Sequence, residues 1–151
     1  MVDIRPFKGY SYAPSSVSDL SSVVAPPYDV ITDQEREDFA SKSPLNFIHI
    51  TLPANYESGR SDPDFYEQAA SQWISFKTNH TVEQSDSPNI WCLKETYDKN
   101  DGQPVTRFGF ITELSLEGES DRFVLRHEKT HRAPQMDRMK LYEATRANLS
   151  P

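Results

Sequence analysis

The sequence predicts an α+β fold: a mixed sheet with a central antiparallel hairpin and three main helices. Two observations carry this. The runs "NIWCLKETY" (89–97) and "TRFGFITELSL" (106–116) are strand-like, and "DKNDGQP" between them holds an Asp-Gly pair, a strong hairpin signal. Between residues 63 and 77, Phe65, Ala69, Trp73 and Phe76 recur at helical spacing with Ala70 beside them, which marks the core face of an amphipathic helix.

The size fits one domain over residues 1–151, since a chain of 151 residues buries roughly 70% of the surface it exposes when unfolded. Hydrophobic content is 36%, on the polar side, but eight Phe, seven Tyr and two Trp supply the large apolar groups that disordered chains lack. Cys92 is the only cysteine, which excludes an internal disulfide, and its place in "NIWCL" predicts a buried, inert thiol. "MVDIRPFKGY" has no apolar stretch after its charges, and no eighteen apolar residues run together, so neither a secretion signal nor a membrane partner is expected. The expected compartment is the cytoplasm.

Charge is unevenly placed. The net charge of −7 argues against general nucleic-acid binding. Residues 122–151, however, hold seven Arg or Lys against three Asp or Glu, leaving nine against twenty before them. The basic C-terminal end is either a solvated surface or the seat of an anionic ligand.

Taken in order, "DIRPFKGYSY" is a short alternating start broken by Pro6 and Gly9, and "APSSVSDLSS" is a loop or capped turn. "VVAPPYDVI" (23–31) predicts a strand leading into a stiff double-proline bend. Thr32 with Glu35 forms a capping box that opens a polar surface helix, "DQEREDFASK", stopped by Pro44. "NFIHITL" (46–52) alternates and is β-branched, which predicts a strand. Asp62 as N-cap and Pro63 at the first helical position begin the amphipathic helix, which ends near Lys77. "RFVLRHE" (122–128) reads as one more strand and "PQMDRMKLYEATRAN" (134–148) as a closing helix.

Residues 127–131, "HEKTH", match the H-E-x-x-H pattern of zinc proteases, which works only when both histidines project from one helical face. Strand-like "RFVLR" before it, β-branched Thr130 within it and Pro134 just beyond Ala133 all oppose a helix there. No zinc ligands are therefore assigned.

The blocks "IRPFKGYSY", "VAPPYDVI", "SPLNFIHITLP" and "HEKTHRAPQMDRMKLYEATRANLSP" resemble, in the same order, the N-terminal part of a prokaryotic domain-of-unknown-function family numbered one thousand and fifteen. His131 departs from that pattern, where an apolar residue commonly follows the threonine. The resemblance implies a chain cut from a longer protein, whose remainder would be one of its partners. It brings no established reaction. Its order of strand, loop and basic helix is similar to the ParB and sulfiredoxin fold, whose members bind nucleotides and in some cases transfer or hydrolyse phosphoryl groups.

The residues themselves suit the same chemistry. A loop entering a helix through Pro134 presents free N–H groups and a positive dipole end to an anion. His127 and Thr130 are candidate donors to phosphoryl oxygens, Lys129 and Arg132 add charge, and Arg138 is a candidate bidentate clamp. Glu128 is a candidate base or magnesium ligand, and Asp29, held with Tyr28 in the rigid "PPYDV" corner, competes for that role. Arg146 and Asn148 are further candidate contacts. Structural alternatives stay open: a Glu128–Arg138 ion pair, a helical Asp137–Lys140 pair, and a corner in which Asp29 caps a turn and Tyr28 packs. The expected function is binding of a phosphorylated small molecule or nucleotide, with magnesium-dependent phosphoryl transfer or hydrolysis. The alternative is a non-enzymatic protein-interaction domain. Convergence of Asp29, His127, Glu128 and Arg138 on one cleft would favour the first. In that reading Arg138→Ala costs binding and little stability.

Overall fold

The computed structural model describes residues 3–53, 63–99, 101–115 and 132–149. The strands are β1 (Ile4–Arg5), β2 (Tyr10–Tyr12), β3 (Val82–Gln84), β4 (Trp91–Asp98), β5 (Pro104–Ile111) and β6 (Glu113–Leu114). The helices are α1 (Asp33–Lys42), α2 (Ile48–Thr51), α3 (Pro63–Thr78) and α4 (Arg132–Thr145). The class is α+β with α1, α3 and α4 as the three main helices. The described strands do not join in one mixed sheet. Among the described residues they form three two-stranded ladders, β1–β6, β2–β3 and β4–β5. Contacts group the chain, expected to be one domain, into two compact units: residues 1–10 with 84–128, and residues 11–83 with 129–151. No helix among the described residues is long and apolar enough to cross a membrane.

The first unit is built on the expected hairpin, with β4 and β5 antiparallel from Trp91↔Ile111 to Asp98↔Pro104. Its loop closes through Lys99 N–H to Gln103 O and Gly102 N–H to Lys99 O, and Gly102 takes the left-handed φ of 76° that such loops need. Arg107 pairs across the strands with Glu95. The second run is not continuous: β5 stops at Ile111, Thr112 donates to Arg5 O, and β6 pairs with β1 instead. Gly9 lies so close to the Trp91 indole that a Cβ would sit 2.7 Å from it. Cys92 is exposed, against expectation, because it shares a solvent-facing side of the hairpin with Phe108 and Phe110.

The second unit holds the core cluster. Phe65, Ala69, Trp73 and Phe76 are all buried, as the helical stripe predicts, and are joined by Ile50, Tyr66, Val82 and Leu141. α1 begins with the full capping box, Thr32 and Glu35 bonding reciprocally. α1 is not wholly superficial: Arg36 is buried, its Nε donating to Leu52 O. α3 starts with Pro63, while its expected cap Asp62 lies outside the described residues. It closes as a Schellman turn, with Thr81 N–H to Phe76 O, His80 N–H to Lys77 O and His80 at φ 53°.

Two expected strands are absent. "VVAPPYDVI" holds a 3₁₀ turn at Tyr28–Val30, following another at Leu20–Ser22 that Asp19 caps. "NFIHITL" contains α2, because the Asn46 carboxamide accepts from Ile48 N–H and starts a helical turn. Ile48 and Ile50 are both fully buried, and a short run buried on opposite sides shows the same alternation as a strand. α4 begins at Arg132, two residues before Pro134. Proline is tolerated in a first turn, where its absent N–H has no partner within the helix. "RFVLRHE" lies outside the described residues.

Two substitutions test these helix ends. Thr32→Ala should lower stability by about 1 kcal/mol in urea denaturation. The Glu35 carboxyl is held below its ordinary range by the Thr32 backbone and side-chain bonds, so its contribution is present above the unfolded pKa and is lost as pH falls through the folded one. The difference between wild type and Thr32→Ala should therefore shrink in acid. His80→Gly should raise the thermal midpoint, because it removes about 1 kcal/mol of left-handed strain at that turn.

Candidate functional site

A pocket of about 440 Å³ opens in the second unit between the double-proline corner, α2 and the C-terminal half of α4. Ala25, Pro26, Pro27 and Tyr28 form one wall, Phe47 and Thr51 a second, and Leu141, Tyr142, Ala147 and Leu149 a third. The charged and carboxamide groups that interrupt this lining are Asp29, Arg138 and Asn148, and Tyr28, Thr51 and Tyr142 add hydroxyls. That combination of apolar walls and sparse polar groups is typical of small-molecule sites.

The corner is held in place from behind. Asn46 Nδ2 donates to Ser22 O (2.8 Å) and Val24 O (3.2 Å), just before Ala25, and Phe47 N–H donates to Val23 O (2.8 Å). The Tyr12 hydroxyl lies 3.1 Å from Val23 O and 2.8 Å from Leu45 O, and burial raises its pKa further above the ordinary tyrosine value. Proline geometry stiffens what these bonds anchor.

Arg138 is tied into the same frame. Its guanidinium sits 3.9 Å over the Tyr28 ring, its Nε and Nη2 bond the Asp137 carboxylate, and Nη1 and Nη2 each lie 3.3 Å from Thr51 O. Asp137 in turn accepts from the Tyr66 hydroxyl at 2.7 Å. Both charges are largely buried, with side-chain exposures of 20% and 13%. Four of the five guanidinium N–H groups are thus engaged among the described residues, which leaves one on Nη1. Asp137, its sequence neighbour and the acceptor of the Tyr66 hydroxyl, neutralises Arg138, while Glu128, the other partner weighed from sequence, lies outside the described residues.

Of the candidates read from sequence, Tyr28, Asp29, Arg138 and Asn148 line this one pocket. Arg132 and Arg146 are exposed and do not line it. Arg146 instead takes φ 52° and caps α4, its N–H donating to Tyr142 O at 2.8 Å. His127, Glu128, Lys129, Thr130 and the "HEKTH" match with His131 lie outside the described residues. Among the described residues no three His, Cys, Asp or Glu side chains are grouped to hold a metal. The sequence reading missed Phe47, Thr51, Tyr142 and Leu149 as lining. Tyr66 carried the better clue, because a tyrosine on a buried helical stripe needs a hydrogen-bond partner for its hydroxyl.

These contacts change the expectation for Arg138. Arg138→Ala should lower stability by about 2 kcal/mol, since it leaves the partly buried Asp137 carboxylate and Thr51 carbonyl short of donors. Arg138→Lys should recover little of this in the same denaturation assay, because an ammonium cannot reproduce the fork and the ring stacking.

No curated protein matches the chain, and no solved structure does, so neither comparison brings a likeness to the ParB and sulfiredoxin fold. The model of one family, described as Protein of unknown function (DUF1015), matches residues 4–151, the span over which the sequence blocks carried the resemblance. The chain belongs to the DUF1015 family.

Proposed function

We propose that the pocket beside Arg138 binds a phosphorylated small molecule or nucleotide in the cytoplasm. The observation that supports this is convergence: Tyr28, Asp29, Arg138 and Asn148 come from separate stretches of sequence and line a single pocket. The apolar and aromatic walls suit the body of a nucleotide better than a bare phosphate ion. The helix face that carries Arg138 continues through Pro134, about 6 Å towards the α4 N-terminus at 1.5 Å per residue. A ligand lying along that face would bring its phosphate to the first turn of α4, where Arg132 stands and which Lys129 and Thr130 precede in sequence. His127 would donate to the phosphoryl oxygens, and Glu128 or Asp29 would supply the carboxylate. Magnesium would be held by that carboxylate together with the ligand's own phosphates, neutralising charge during phosphoryl transfer or hydrolysis.

A second reading has its own observation. Phe108 and Phe110 are 65% and 75% exposed on one side of the β4–β5 hairpin, an apolar face of the kind that meets a protein partner. It is the basis for a non-enzymatic interaction domain.

A thermal-shift screen against nucleotides, sugar phosphates, phosphoamino acids and inorganic phosphate, with and without magnesium, separates the two. A ligand at about 100 times its dissociation constant should stabilise by roughly 2.7 kcal/mol. The expected result is a shift that Asn148→Ala and Tyr142→Ala reduce. No shift with any compound would leave the interaction domain as the better account.

A further inference from the structure

The pocket contains polar side chains that the fold does not use. Asp29 and Asn148 both line it, both are exposed, and among the described residues neither side chain has a hydrogen-bond or ion-pair partner. By contrast Arg138 is mostly consumed by Asp137 and Thr51, so its charge is balanced and, among the described residues, one N–H is left. The pocket's surplus charge is therefore the Asp29 carboxylate. An ionised carboxylate accepts hydrogen bonds and donates none. Whatever part of a ligand faces Asp29 must present N–H or O–H groups, and a phosphate there would meet a like charge.

Resting on the nucleotide reading above, we infer that the pocket is built for the base of a guanine nucleotide. Guanine presents N1–H and the N2 amino group side by side, two donors that match the two oxygens of one carboxylate. Adenine places the acceptor N1 next to its amino group, so the same carboxylate would oppose a lone pair. Guanine also carries O6 and N7 as adjacent acceptors on its other edge. The Asn148 carboxamide supplies donors for them and, unlike Asp29, tolerates either polarity. A stacking surface is present as well. One face of the Tyr28 ring is covered by the Arg138 guanidinium, whereas Tyr142 is 51% exposed and leaves a ring face for a base, with Pro26 and Pro27 across the pocket. Phosphates would then point away from Asp29, towards the α4 N-terminus, so that Asp29 reads the base and is not the carboxylate that holds magnesium.

The test is titration calorimetry of the whole chain with GDP, IDP and ADP in the presence of magnesium, repeated with Asp29→Asn. Inosine diphosphate keeps N1–H and lacks only the 2-amino group, so it isolates one of the two donors. GDP should bind on the order of tenfold more tightly than IDP, with ADP weaker again, as expected for charge-assisted bonds at a partly solvated rim. Asp29→Asn should erase the gap between GDP and IDP while leaving the unliganded thermal midpoint unchanged, because the Asp29 side chain has no partner among the described residues. Equal binding of all three, or a GDP preference that survives Asp29→Asn, overturns the guanine assignment and leaves the nucleotide pocket standing. Binding of none of them, with a shift by another phosphorylated compound, overturns guanine but not phosphate. No response to any phosphorylated compound removes both.

Discussion

Asn46 is completely buried, and its carboxamide reaches three backbone groups: the carbonyls of Ser22 and Val24 and the N–H of Ile48. A buried amide is costly unless its donors and acceptor are satisfied, and here the satisfied geometry dictates where two segments must lie. One is the start of α2. The other is the stretch that runs directly into Pro26 and Pro27. Everything that borders the pocket on that side inherits its position from this single residue, with Tyr12 adding a hydroxyl against Val23 and Leu45 at the same junction.

The far end of α2 is fixed by charge. A helix leaves its last carbonyls without internal partners, and two guanidinium groups from different helices take them, Arg36 of α1 at Leu52 and Arg138 of α4 at Thr51. α2 is only four residues long and would not persist alone. Bound at one end by a carboxamide and at the other by two arginines, it becomes a fixed point against which α3 packs, and α4 packs on α3 in turn. The pocket is the space left between this element, the proline corner and α4. Its lining follows from the same contacts: Arg138 is employed structurally, whereas Asp29 and Asn148 border the pocket without a side-chain partner among the described residues.

Elements whose signal is local and redundant were legible in the sequence. The capping box at Thr32 and Glu35, the Asp-Gly loop, the proline start of α3 and its four-residue apolar stripe each depend on neighbours within a turn or two. Membership of the DUF1015 family was legible for a different reason, since whole blocks in a fixed order carry it. "NFIHITL" was misread because α2 is buried on opposite sides, which erases the helical period. The structural bonds of Arg36 and Arg138 to the Leu52 and Thr51 carbonyls were not legible, because those residues are distant in sequence and carbonyls leave no trace in residue identity.

By itself, then, the sequence determined the α+β class, the three main helices, the hairpin and the stripe that becomes the core, all products of short-range periodicity and capping chemistry. It also singled out Tyr28, Asp29, Arg138 and Asn148, because a stiff corner and a basic helix are visible one residue at a time. Only the tertiary structure decided that these four border one pocket and that Arg138 is neutralised by Asp137. It also decided that Arg146 closes a helix and that Cys92 faces solvent. The physical reason is that burial and charge pairing depend on which segments meet, and here that meeting is set by hydrogen bonds from a few side chains to backbone groups far along the chain.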